Sequence, residues 1–83
     1  MNIARMKAET EADKAEAERI REILVYAREQ AGLRQEDMGN LLGTSQAAYC
    51  AMEHDFKRLN SYMQEKICDI LYLPKPKIFE KGL

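Results

Sequence analysis

Eighty-three residues allow one domain at most, and 46% apolar against 33% charged residues is the composition of a folded globular chain, not a disordered one. The apolar runs are too short to span a bilayer, and Met1-Asn2-Ile3-Ala4-Arg5-Met6-Lys7 lacks the apolar stretch of a signal peptide, so a cytoplasmic chain is expected. The net charge of −1 lacks the basic excess usual in nucleic-acid binders.

The first predicted element runs from about Ala8 to Gln30, where strong helix formers continue without Gly or Pro. Thr10 with Asp13 suggests a capping box, and Glu9, Glu11 and Asp13 suit the positive end of a helix dipole. Between Lys7 and Arg19 no apolar stripe exists. Residues 1–19 therefore read as a charged helical extension that is either solvated or a surface for a protein partner. From Ile20 the character changes. Ile20, Ile23, Leu24, Ala27 and Ala31 recur at helical spacing, and Gly32 offers a left-handed stop. Residues 20–83 then form the folded domain.

A second helix is predicted over Gln35–Leu42, with Met38, Leu41 and Leu42 as its apolar edge and Gly43 as its end. Thr44-Ser45 caps a third over Gln46–His54, with Tyr49 and Met52 inward. Asp55-Phe56-Lys57-Arg58 reads as a loop. Asn60 or Ser61 caps a fourth helix running to about Tyr72, with Ile67, Ile70 and Leu71 inside. Pro74 and Pro76 punctuate its end, and Ile78 and Phe79 supply a last short turn packed on the core. The expected fold is all-α, a five-helix orthogonal bundle with an N-terminal helical extension.

Catalysis and metal binding find little material. The chain holds two cysteines, Cys50 and Cys68, and one histidine, His54. Cys50 and His54 are four apart but Cys68 is distant, so no metal site is expected and both thiols read as small buried hydrophobes. No phosphate loop or paired carboxylates in an apolar setting appear. The expectation is a protein that is not an enzyme and needs no cofactor.

The informative stretch is Gly32-Leu33-Arg34-Gln35-Glu36-Asp37-Met38-Gly39-Asn40-Leu41-Leu42-Gly43-Thr44-Ser45-Gln46-Ala47-Ala48-Tyr49-Cys50-Ala51-Met52-Glu53. It resembles the helix-turn-helix of the Cro/CI-type phage-repressor (XRE) family. The likeness rests on the order Gly-Leu, polar-Gln, two acids, apolar, small, then Leu-Leu-Gly, a Thr-Ser pair, an apolar residue four further on and a closing Glu. The resemblance implies a lambda-repressor-like bundle that acts as a transcriptional regulator, most readily a repressor, in a bacterial or phage setting. Physical reasons accompany it. Gly39 must be small where the two helices cross, Gly43 makes the turn, and Met38, Leu42, Tyr49 and Met52 fill the wedge between them.

By resemblance, Gln46 and Ala47 occupy the main base-reading positions, with Ala51 a turn further on and Cys50 assisting. Glutamine can grip adenine with two hydrogen bonds, worth about 1–3 kcal/mol of discrimination. Ser45 caps the third helix, and with Thr44 it can face a phosphate. Gln35 is implied to touch phosphate and brace Gln46. Arg34 replaces a capping residue with a possible phosphate ligand. His54, Lys57 and Arg58 follow the recognition helix where the family meets the backbone. Arg28 and Glu53 match a salt bridge between the first and third helices. With Arg34, Lys57 and Arg58 in each of two subunits, about six phosphate contacts and a salt slope of about −5 are expected, so a homodimer on a palindromic duplex is implied. Dimer contacts are expected from the Tyr62–Phe79 region, with Tyr62, Tyr72, Ile78 and Phe79 as candidates. The weak basic balance and the alanines of the third helix leave a second reading open: a protein-binding adaptor or antitoxin on the same fold, docking through acids such as Glu11 and Glu16.

Overall fold

The computed structural model of the chain describes residues 11–74, and every regular element among them is helical. Helix α1 spans Glu11–Gln30, α2 Gln35–Leu42, α3 Gln46–His54 and α4 Ser61–Leu71, with a single 3₁₀ turn over Phe56–Arg58. The described residues thus carry four α-helices. The expected last turn at Ile78 and Phe79 lies outside them, as do Thr10 and the start of the first helix at Ala8.

The core gathers Ile20 and Leu24 from α1, Met38 from α2, Tyr49 from α3, Phe56 from the 3₁₀ turn, and Ile67, Cys68 and Leu71 from α4. Ala27, Leu33, Leu42, Met52, Leu59, Met63, Ile70 and Leu73 pack around it. Three expectations need correction. Leu41 is 55% exposed, because α2 is only two turns long and its buried strip is narrow, centred on Met38 and Gly39. Ala31 is exposed because α1 ends before it. The tetrapeptide at Asp55 is no plain loop: Leu59 N–H donates to Phe56 C=O at 3.1 Å, and the ring of Phe56 is 2% exposed. Gln64 fixes this turn from below, its amide donating to the Phe56 carbonyl at 3.0 Å.

The connections explain how short helices meet at sharp turns. At the end of α1, Gly32 has φ +74°, Leu33 N–H donates to Arg28 C=O at 3.0 Å and Gly32 N–H to Glu29 C=O at 3.0 Å. That closes the helix with a left-handed glycine and turns Leu33 back on the core. The end of α2 repeats the device: Gly43 has φ +74°, and Thr44 N–H donates to Gly39 C=O at 2.8 Å. Two residues later Ser45 caps α3, its Oγ accepting from Ala48 N–H at 3.0 Å. Asn60 caps α4 in the same way, through Met63 N–H at 2.8 Å.

No helix among the described residues is long and apolar enough to cross a membrane. The division at Arg19/Ile20 falls inside the continuous helix α1. Its first part is not wholly solvated. Glu11 to Ala15 are exposed, but Glu16 and Ala17 are half-buried beside the 3₁₀ turn.

Candidate nucleic-acid interface

Helices α2 and α3 meet through backbone. A Cβ on Gly39 would lie 2.9 Å from both the carbonyl carbon and the oxygen of Ser45 and 3.0 Å from the Thr44 oxygen. Only a hydrogen fits there, so the first turn of α3 is seated directly on the body of α2. The outer face of α3 then carries Gln46, Ala47, Cys50, Ala51 and His54. All are exposed except Cys50, which is half-buried.

A line of hydrogen bonds leads from the core to that face. Glu53, 2% exposed, accepts from Arg28 Nε at 2.7 Å through Oε2 and from Gln35 Nε2 at 3.0 Å through Oε1. Arg28 Nη1 also donates to the Leu33 carbonyl at 3.1 Å, which ties the guanidinium to the α1–α2 connection. Gln35 Oε1 in turn accepts from Gln46 Nε2 at 2.6 Å. A charged, buried pair therefore orients one amide, and that amide orients the next, which is exposed. With one Nε2 hydrogen committed to Gln35, Gln46 keeps the other and its Oε1 for an external donor–acceptor pair. The 6-amino and N7 edge of adenine presents such a pair in the major groove.

Tyr49 lies behind this line with 0% exposure, its hydroxyl beside the Glu53 carboxylate without completing a hydrogen bond. Burial, then the charge of Glu53, pushes the phenol well above its ordinary value of 10.0. It stays neutral.

Three of the expected phosphate ligands, Arg34, Lys57 and Arg58, are engaged with acids. Arg34 Nε lies 3.5 Å from Asp37 Oδ2 and its Nη2 3.9 Å from Glu36, Arg58 Nε is 3.7 Å from Asp55, and Lys57 Nζ is 2.8 Å from Glu16. Arg34 makes no side-chain cap on α2, as its replacement of a capping residue implies. A guanidinium has no acceptor and cannot cap α2, but Asp37 reaches back and accepts from Arg34 N–H at 2.8 Å. That backbone donor holds the Asp37 carboxyl below its ordinary 3.8. Thr44 is half-buried with its N–H used inside the turn, while Ser45 Oγ accepts in the cap and keeps its O–H to donate.

The site thus joins Arg28, Gln35, Gln46 and Glu53 into one hydrogen-bonded unit. It leaves Ala47, Ala51 and His54 as exposed companions, and sets Arg34, Lys57 and Arg58 at the edges. Sequence reasoning missed Glu16 as the partner of Lys57, because a contact across 41 positions leaves no local pattern. It also missed Gln64, for which a lone amide among Met63, Ile67 and Cys68 was the available signal. Among the described residues no group of three metal-ligating side chains converges; Cys68 is in the core and Cys50 on α3. No family model matches the chain, and searches of curated proteins and of solved structures find no match.

Proposed function

We propose that the chain is a sequence-specific DNA-binding transcriptional regulator on a lambda-repressor-like bundle. Helix α3 enters the major groove and Gln46 reads a base edge. The observation that carries this reading is the pre-set Gln46: an exposed amide at the first position of a helix, held at 2.6 Å by Gln35, which is itself held by a buried carboxylate. A solvated surface glutamine needs no such support. A base-reading one gains from it, since less side-chain freedom is lost on binding.

The partner is duplex DNA and the binding unit a homodimer. Each protomer contributes few cations, so two half-sites about one helical turn apart are needed to hold the complex. Tyr72, 91% exposed, and Tyr26, 65% exposed, flank an apolar groove floored by Ile23 and Leu71, which suits the dimer contact. Tyr62, 66% exposed, remains a second candidate, while Ile78 and Phe79 lie outside the described residues.

The test is selection of duplexes from a random library by the full chain, followed by Gln46→Ala. Enrichment of a palindrome, and a loss of about 1–3 kcal/mol confined to one position per half-site in the variant, supports the reading. Failure to enrich any sequence removes it. One observation favours the adaptor reading instead: Arg34, Lys57 and Arg58 each face a carboxylate, which weakens attraction for phosphate. In that case the selection fails, and charge reversal at Glu11 or Glu16 abolishes capture of a protein partner.

A further inference from the structure

Arg34, Lys57 and Arg58 are each paired with an acid, whereas Lys14 on α1 makes no ion pair among the described residues. Lys14, Ala17, Glu18 and Arg21 form one face of α1, and with His54 from the end of α3 they line a cleft of about 230 Å³. Ala17 keeps its floor low. Arg21 Nη2 is 3.6 Å from Glu18 Oε2, a loose pair with Glu18 65% exposed. Lys14 and His54 are both exposed, and neither makes an ion pair among the described residues. Two cations and an imidazole therefore face one carboxylate: Arg21 is paired about as loosely as Arg34 and Arg58, whereas Lys14 and His54 have no acid partner among the described residues.

Position matters as much as charge. His54 is the last residue of α3 and Gln46 the first. At a rise of about 1.5 Å per residue they are about 12 Å apart, which is about the width of the major groove. A helix that meets base edges at Gln46 therefore brings its far end to the phosphate wall of the groove. Lys14 and Arg21 share that end of α3 through the cleft they line with His54.

We infer that the Lys14–Arg21–His54 cleft is a second phosphate-backbone site, through which the N-terminal part of α1 grips the DNA strand flanking the groove read by Gln46. The inference rests on the DNA-binding reading above. It gives the N-terminal helix a role in holding DNA and supplies in Lys14 a cation with no carboxylate to release, beside Arg21, whose pair with Glu18 is no tighter than those of Arg34 and Arg58. Such contacts add affinity without sequence preference.

The test is fluorescence anisotropy of a labelled random-sequence duplex titrated with the full chain over a range of potassium chloride. Lys14→Gln with Arg21→Gln is expected to weaken binding about tenfold at moderate salt and to make the salt slope shallower by about 2. Glu18→Gln, on the same face, is expected to tighten binding. Lys66→Gln, on α4 where Lys66 lies 5.5 Å from the Tyr62 ring centroid, removes one charge and is the control for Lys14→Gln and Arg21→Gln made singly. Circular dichroism melts check that each variant is folded. If each single variant tracks the Lys66 control while the unaltered chain binds, the cleft is not a DNA site and the regulatory reading stands. If the unaltered chain binds neither this duplex nor any selected sequence at any salt, that reading falls and takes this site with it.

Discussion

Arg28 and Glu53 are 25 positions apart in the chain and 2.7 Å apart in space, with the carboxylate 2% exposed and the guanidinium side chain 11% exposed. A pair this dry contributes little net stability, because desolvation offsets the attraction, but half of it is costly to keep. Glu53→Ala is expected to lower unfolding free energy by about 3–5 kcal/mol in urea denaturation. Replacing both, Arg28→Met with Glu53→Leu, should recover most of that loss. A single-variant cost under about 1 kcal/mol would mean that the pair is solvated.

Tyr49 offers a pH test. Its hydroxyl has no hydrogen-bond partner, so Tyr49→Phe at neutral pH should change stability by less than about 1 kcal/mol. The folded-state pKa is raised above 10.0 by burial and by Glu53. The stability of the neutral phenol is therefore fully present below pH 10.0 and lost as the pH rises toward the folded-state value. Thermal melts should show the unaltered chain weakening above about pH 10 and Tyr49→Phe weakening less. Parallel curves would remove the argument.

Tyr72 closes α4 in the left-handed region at φ +56°, a conformation that costs a side-chain-bearing residue about 1–2 kcal/mol. Its ring is 91% exposed and contributes little burial to offset this. Tyr72→Gly is expected to raise Tm by about 4–8 °C, measured at low protein concentration so that association does not contribute. A fall would show that the ring has a packing role.

Gly39→Ala should destabilise by about 1–3 kcal/mol despite the better helix propensity of alanine. The atoms it would meet, 2.9 Å away, are backbone atoms of Ser45, which cannot swing aside. Urea unfolding reads the cost, and a more stable variant would mean that the two helices separate easily.

Much of this was legible in the sequence where local chemistry decides. The bounds of α2 and α3 follow from Gly43 and Ser45, since a left-handed residue and a hydroxyl cap each act over a few residues. Phe56 was not legible. One apolar residue between Asp55 and Lys57-Arg58 has no period, and only the hollow between α1 and α4 makes it core. At the start of α2 the absent side-chain cap follows from Arg34, which has no acceptor, but the backbone bond that Arg34 donates to Asp37 depends on a side-chain rotamer that composition does not set. Counting Lys57 as a phosphate ligand ignored Glu16, because pairing across the fold is tertiary information.

The contact at Gly39 separates two things that proteins often entangle. The angle between α2 and α3 is set by main chain against main chain, whatever side chains α3 displays outward. The exposed residues 47 and 51 can therefore be rewritten without tilting the helix that carries them, and residue 46 at the cost of its bond to Gln35. A scaffold of this kind can change its vocabulary while keeping its grammar, with new recognition surfaces arising from point substitutions and no repacking beneath.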